Sequence, residues 1–196
     1  GYYAAQGAKV ALADCDPQGS SIDWLKQRPT SVAPIIAIDA ANGPLRVARS
    51  VDVLIMDAPS RTHGDALPPL LKRAQTAIVP VVPSPVDIRA AIRFFQELRE
   101  VRHLVENDVK IATVASRVRD GARTSDDLED FLMDQKLPSG RRFPFITWLR
   151  MSTNYLKAAE KGVSIFEMAP AATAADREYW APLLKWLASP RSLPEG

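Results

Sequence analysis

The chain has 196 residues, 46% of them hydrophobic, and a net charge of +2 from 25 Lys and Arg against 23 Asp and Glu. This length and composition predict one sizeable core, with a single domain over residues 1–188 and a flexible tail over 189–196. No apolar run approaches the length of a membrane span. The single cysteine agrees with a reducing cytoplasm, and the small net charge means that any DNA contact must come from local arginine patches.

Strands and helices alternate along the chain, which predicts an α/β fold with a doubly wound, mostly parallel sheet and helices on both faces. The first residues resemble the end of a helix that is capped by Gly7. The predicted strands span residues 9–14, 34–38, 52–57, 76–82, 109–115 and 143–147. The predicted helices span residues 20–28, 65–74, 86–106, 124–135, 152–161 and 173–188.

The helix over 86–106 has the clearest periodicity. Apolar residues recur at spacings of three and four, at Ala91, Phe94, Leu98, Val101 and Val105. Such a stripe predicts one helix face packed against the sheet and a polar face in solvent.

Acidic residues end two of the predicted strands. The strand over 9–14 leads directly into Asp14 and Asp16, and the strand over 52–57 closes on Asp57. Because ligands of open parallel sheets bind at the carboxyl ends of strands, these acids are predicted to share one site. An acid that follows an apolar strand is the pattern of a metal-holding residue in nucleotide hydrolases. Alternatively, Asp16 followed by Pro17 starts a turn and caps the next helix, and Asp57 is a structural cap.

Three motifs carry a resemblance to a known family. They are Asp-Cys-Asp-Pro-Gln-Gly-Ser at 14–20, Val-Leu-Ile-Met-Asp-Ala-Pro at 53–59 and Ala-Ile-Val-Pro-Val-Val-Pro-Ser-Pro-Val-Asp at 77–87. In order and spacing the chain resembles the ParA/MinD family of deviant P-loop ATPases, most of all the partition ATPases, over residues 1–120 and less specifically over 155–187. The resemblance implies a P-loop NTPase fold of the SIMIBI type. The family's first strand and its lysine-bearing glycine-rich loop have no counterpart here, so an N-terminally truncated chain that supplies the acidic half of the site is expected.

The resemblance also implies ATP and Mg²⁺ as cofactors and assigns roles to single residues. Asp16 is the expected catalytic residue, which orients the attacking water, and Asp57 is expected to hold Mg²⁺ through a water molecule. Ser116 and Arg117 stand where the family has an Asn-Arg pair for the base, and serine lacks the paired donor and acceptor of the amide. The other expected cofactor-binding positions are Asp14, Pro17, Gln18 and Pro83.

The partners implied by the resemblance are a second copy of the chain, nonspecific DNA and a ParB-like activator protein. Arg123 and Arg150 are the expected DNA-binding residues, with further arginines at 117, 119, 141 and 142. The alternative for these arginines is a solvated face, since six acidic residues lie between positions 120 and 134. The implied function is a cytoplasmic, nucleoid-associated ATPase that segregates a plasmid or chromosome. The alternatives are a nucleotide-free scaffold or inactive fragment, and a MinD-type membrane-associated ATPase, for which the C-terminal helix lacks a basic face.

Overall fold

The computed structural model describes residues 1–60, 62–101, 109–119, 123–136, 140 and 142–194, without the side chains of 123–126. The chain divides into two compact units. Unit 1 comprises Gly1–Thr62 and Ser152–Arg177, and unit 2 comprises His63–Met151 and Glu178–Gly196.

Helices and strands alternate as predicted, and most of their bounds lie within a few residues of the predicted ones. The strands are β1 Val10–Asp14, β2 Ile35–Asp39, β3 Val53–Asp57, β4 Thr76–Val81, β5 Lys110–Val118 and β6 Phe145–Arg150. The helices are α1 Tyr2–Ala5, α2 Ser20–Lys26, α3 Leu67–Leu71, α4 Pro85–Glu100, α5 Arg123–Met133, α6 Thr153–Glu160 and α7 Pro170–Leu187, with 3₁₀ turns at Gly64–Ala66 and Pro190–Ser192. The predicted α/β class with parallel strands and flanking helices is confirmed. The described strands form two three-stranded sheets where one sheet was predicted.

Unit 1 is built on a parallel sheet of order β2-β1-β3. The central strand β1 is buried, and its last residue, Asp14, lies opposite Asp39 of β2 and Asp57 of β3. Among the described residues β3 pairs with β1 alone, and its Ile55 is 42% exposed. The apolar run at 53–56 thus forms an edge strand, with its terminal acid at the carboxyl edge of the sheet.

Unit 2 is built on a second parallel sheet, of order β4-β5-β6. The central strand β5 is buried over most of its length, and a register shift between Ser116 and Val118 breaks its pairing with β6. The core of this unit has fully buried side chains from α4, α5 and β5, at Phe95, Leu98, Leu128, Leu132 and Val114.

Two details of the predicted α4 need correction. The helix ends at Glu100 and Val101 is extended, whereas residues 102–108, with Val105 of the predicted stripe, lie outside the described residues. The buried aromatic residue is Phe95 rather than Phe94, which is only half-buried. Phe95 follows the buried Ala91 by four residues and precedes Leu98 by three, so the helix satisfies the same periodicity with a stripe shifted by one position.

The described residues of the predicted flexible tail over 189–196 include a 3₁₀ turn and a buried side chain. Pro190–Ser192 forms a 3₁₀ turn, and Ser192 is only 1% exposed. The Ser192 hydroxyl donates to the carbonyls of Leu187 and Ser189, at 2.9 Å each, and its own carbonyl accepts from the Thr76 hydroxyl. The bond to Leu187 satisfies a carbonyl at the end of α7, where the helix leaves its last carbonyls without intrahelical partners.

A buried ion pair holds unit 1 together beyond its sheet. The Arg28 guanidinium binds the Glu167 carboxylate, and the two side chains are 6% and 4% exposed. Arg28 also donates to the carbonyls of Ala33, at 2.7 and 2.9 Å, and Gly162, at 3.2 Å. Burial alone would raise the pKa of Glu167, but hydrogen bonds from Arg28 and Ser164 outweigh it and hold that pKa below its ordinary value.

No helix in the part of the chain that the structure describes is long and apolar enough to cross a membrane.

Candidate functional site

Asp14 organises the loop that follows β1. Its carboxylate is buried, and Oδ1 accepts the backbone N–H of Asp16 at 3.0 Å. The other oxygen, Oδ2, accepts the N–H groups of Ser21, at 2.9 Å, and Ile22, at 3.1 Å. An acid at the first turn of a helix satisfies donors that have no partner inside the helix and interacts favourably with the helix dipole. Asp14 thereby fixes both the start of α2 and the loop before it.

Asp16 lies on this loop and is half-buried. Its Oδ1 accepts the N–H of Gln18 at 2.9 Å, and its carbonyl accepts the N–H of Gly19 at 2.9 Å. Gly19 has a φ of 69°, a left-handed conformation that glycine adopts without strain, and it is the N-cap of α2. Asp16 therefore starts a turn, but the carboxylate that caps α2 belongs to Asp14. In the described structure Oδ2 of Asp16 has no hydrogen-bond partner.

Asp57 ends β3 and is exposed. Its Oδ2 accepts the Ser21 hydroxyl at 2.6 Å, and its carbonyl accepts the N–H of Cys15 at 2.9 Å. The other carboxylate oxygen, Oδ1, accepts no hydrogen bond from the described residues. The structure thus brings Asp14, the Asp16 loop and Asp57 together at the carboxyl edge of one sheet.

Two residues of this edge are absent from the sequence-based prediction. Asp39 lies opposite Asp14 in the register, and its strand was predicted to end one residue too early, at position 38. Hydrogen bonds from the side chain and backbone N–H of Asn42 lower the pKa of Asp39 below its ordinary value. An acid directly after a predicted strand was the available signal. Ser21 is the second residue, and a serine in the first turn of a helix gives no comparable signal.

The residues of this edge fit Mg²⁺ only in part. The described residues hold no group of three or more His, Cys, Asp or Glu side chains that could bind a metal ion by themselves. Mg²⁺ in nucleotide sites keeps several waters and is held by one or two carboxylates together with phosphate oxygens. Asp57, exposed and with one oxygen unpartnered among the described residues, fits that limited role.

Unit 2 contains the other predicted site residues. Pro83 directly precedes Ser84, whose hydroxyl caps α4 by accepting the N–H of Asp87 at 3.2 Å. Ser116 and Arg117 lie near the carboxyl end of β5, and Arg150 ends β6 opposite Val118. Arg123 is the first residue of α5. The structure therefore brings Ser116, Arg117 and Arg150 to one edge of the β4-β5-β6 sheet.

Arg117 has an unusual backbone. Its φ of 57° is positive, and it lies at the register shift between Ser116 and Val118. A left-handed conformation costs a residue with a side chain about 1 to 3 kcal/mol, and such strain collects at functional sites. The exposed Arg117 side chain is thus presented by a bulge, an arrangement that suits contact with a ligand.

The fold is that of the ParA/MinD P-loop ATPases, which confirms the resemblance at the level of structure. No protein-family model matches the sequence.

Three proteins illustrate the likeness. The maintenance of carboxysome distribution protein A (McdA) of Halothiobacillus neapolitanus is 24% identical over 169 residues, which are 83% of this chain and 76% of that protein. The structure of apo McdA from Cyanothece superposes with a TM-score of 0.64 at 15% identity, covering 96% of this chain and 91% of that one. A plasmid partition protein of Borrelia burgdorferi bound to AMPPNP superposes with a TM-score of 0.66 at 12% identity, covering 94% and 89% of the two chains.

Proposed function

We propose that the chain is an ATPase of the partition and positioning class, in which Asp16 orients the attacking water and Asp57 holds Mg²⁺ through a water molecule. The observation that carries the proposal is the meeting of the Asp16 loop with Asp57 at the carboxyl edge of the β2-β1-β3 sheet. ATP hydrolysis requires a positioned water and neutralised phosphate charge. Asp16 is suited to position the water, and Asp57 is suited to hold the Mg²⁺ that would neutralise the phosphates.

Each residue of the edge has a separate task in this proposal. Asp14, with both oxygens bound to backbone N–H groups, fixes the loop that carries Asp16. Asp16 keeps one carboxylate oxygen for the attacking water, whose proton it can accept. The exposed Pro17 and Gln18 of the same loop contact the nucleotide or a second copy of the chain. Mg²⁺, when bound, offsets the negative charge of the phosphates.

Unit 2, considered by itself, carries the residues expected at the base. We propose that Ser116 donates a hydrogen bond to a base and that the bulge at Arg117 presents this side chain to a nucleotide. Pro83 belongs to the loop that leads into α4 and lies near the nucleotide or the second copy.

The names of similar proteins suggest the kind of cargo. One similar protein maintains carboxysome distribution and another is a plasmid partition protein. We propose that this chain likewise positions a large cellular cargo by forming an ATP-bound homodimer on nonspecific DNA, from which a ParB-like activator releases it.

Thermal unfolding tests the nucleotide site and separates the ATPase from a nucleotide-free scaffold. At 100 times its dissociation constant, a ligand that binds only the folded state adds about 2.7 kcal/mol to the free energy of unfolding. For a chain of this size that should raise the melting temperature by roughly 5 to 10 °C. We expect Mg²⁺-ATP to produce this rise in the wild type and not in Asp57→Asn.

The matched control is Asp39→Asn. Asp39 is exposed and, like Asp57, lies opposite Asp14 in the strand register. It belongs to β2, however, and has no part in the proposed site. It should therefore respond to Mg²⁺-ATP like the wild type. An equal rise in Asp57→Asn would contradict the metal-holding role.

DNA binding gives a further prediction. Arg123→Ala and Arg150→Ala should each weaken binding to DNA of any sequence and reduce the slope of log affinity against log salt by about 1, because each removes one phosphate contact. The control is Arg73→Ala, since the exposed Arg73 lies before the amino end of β4, opposite the carboxyl edge. Fluorescence anisotropy with a labelled random duplex, at several salt concentrations and with ATP present, measures the slope. If the slope is unchanged in both variants, Arg123 and Arg150 do not contact DNA phosphates and belong to a face that only solvent covers.

A further inference from the structure

Ser21 is hydrogen-bonded to two of the acids at the carboxyl edge, Asp14 and Asp57. Its backbone N–H donates to Asp14 Oδ2 at 2.9 Å, and its hydroxyl donates to Asp57 Oδ2 at 2.6 Å. It is the second residue of α2 and is half-buried. One residue therefore connects the buried acid of β1 with the exposed acid of β3.

The bond to Asp57 is of the strong kind. Hydroxyl donors reach carboxylates at about 2.5 to 2.7 Å when the acceptor is ionised, and such bonds are roughly twice as strong as neutral ones. An exposed carboxylate on its own rotates freely about its last torsion angle, which has a broad energy profile. Occupation of Oδ2 by the Ser21 hydroxyl fixes this rotation and leaves Oδ1 as the oxygen for another ligand.

The Ser21 hydroxyl is itself held in place. The Ser21 and Ile22 N–H groups both bind the Asp14 carboxylate, which is buried in the central strand of the sheet. The same carboxylate binds the N–H of Asp16. The positions of the Asp16 loop, the first turn of α2 and the Asp57 carboxylate are thus set by one connected group of hydrogen bonds.

We propose that Ser21 is a positioning residue for the metal-holding carboxylate: its hydroxyl fixes Asp57 through Oδ2 and leaves Oδ1 as the oxygen that would hold Mg²⁺ through a water molecule. The inference rests on the proposed function, because it concerns how Asp57 carries out its role there. Residues that orient a metal-holding side chain through a hydrogen bond affect metal affinity without touching the metal.

The test compares ATP affinity with and without the metal. Isothermal titration calorimetry with ATP is performed in excess Mg²⁺ and in EDTA on the wild type, Ser21→Ala and Ser21→Thr. The matched control is Ser20→Ala, which removes an exposed hydroxyl from the preceding position. Ser21→Ala should lose about 10- to 100-fold of the affinity gained from Mg²⁺. Its affinity in EDTA should equal that of the wild type, and Ser21→Thr and Ser20→Ala should keep the full gain.

Other results would overturn the inference. If Ser21→Ala keeps the full gain in ATP affinity from Mg²⁺, Asp57 does not need the Ser21 hydroxyl to hold its position. If Ser21→Ala loses ATP affinity equally in Mg²⁺ and in EDTA, the substitution disturbs the fold in general. If Ser21→Ala does not fold, the isosteric Ser21→Cys, whose thiol is a weak donor, should show the selective loss instead. Failure of Mg²⁺-ATP to bind both the 196-residue wild type and a longer version of the protein would contradict the proposed function itself. That result is distinct from Mg²⁺-ATP binding that Ser21 does not influence.

Discussion

Replacement of Asp16 by Asn should slow ATP hydrolysis by about 10²- to 10⁴-fold, the usual contribution of a positioned general base. Asn keeps the oxygen that accepts the N–H of Gln18, so the turn before α2 is retained. What it removes is the negative charge on the other oxygen, which in the proposed function orients the attacking water and accepts its proton. ATP affinity should stay at the wild-type value because the change acts on the reaction and not on binding.

Single-turnover hydrolysis of radiolabelled ATP measures the rate, with binding measured separately. The contrasting variant is Asp14→Asn. Because the Asp14 carboxylate is buried and accepts three backbone N–H groups, its replacement should lower the free energy of unfolding. Hydrolysis by Asp16→Asn at the wild-type rate would show that Asp16 serves only the turn.

Replacement of Arg28 by Met should lower the free energy of unfolding by about 3 to 5 kcal/mol, because it leaves the buried Glu167 carboxylate without its partner. The double variant Arg28→Met with Glu167→Gln should regain much of this loss. Gln removes the buried charge but keeps an oxygen that can accept the hydrogen bonds of Ser164. The control is Lys26→Met, since Lys26 pairs with Asp23 on the surface and should contribute little.

The effect of Arg28→Met should depend on pH. In the folded wild type the pKa of Glu167 is lowered, so its carboxylate contributes stability above the pKa of the unfolded chain, and this contribution is lost as the pH falls through the folded pKa. In the variant, burial without Arg28 raises that pKa, and Glu167 is protonated at a higher pH. The difference in stability between wild type and variant should therefore be largest near neutral pH and shrink towards pH 4. Urea unfolding at several pH values measures it, and a pH-independent difference would contradict the charge as the cause.

The sequence predicted the elements that depend on local pattern. Apolar runs that end on an acid located β1 and β3, and the 3.6-residue periodicity located α4, because each pattern follows from the geometry of a single element. The grouping of Asp14 and Asp57 was also predictable, since strands of a parallel sheet end at the same edge.

Features that depend on contacts distant in sequence were missed. The bond between Ser21 and Asp57 joins residues 36 positions apart, and the pair of Arg28 and Glu167 joins residues 139 apart, so no local pattern marks them. The burial of Ser192 depends on Thr76, 116 residues away. The φ of Arg117 follows from the register of β5 with β6, which the sequence of one strand does not specify.

Calorimetric titration with Mg²⁺-ATP tests the central claim most directly. It should be performed on the 196-residue chain and on the longest open reading frame that contains it, because the lysine-bearing glycine-rich loop of the ParA/MinD family is not found among these 196 residues. We expect saturable, Mg²⁺-dependent binding by at least the longer version, retained in Asp16→Asn and lost in Asp57→Asn. Failure of both versions to bind the nucleotide would contradict the ATPase assignment and leave a scaffold with the same fold.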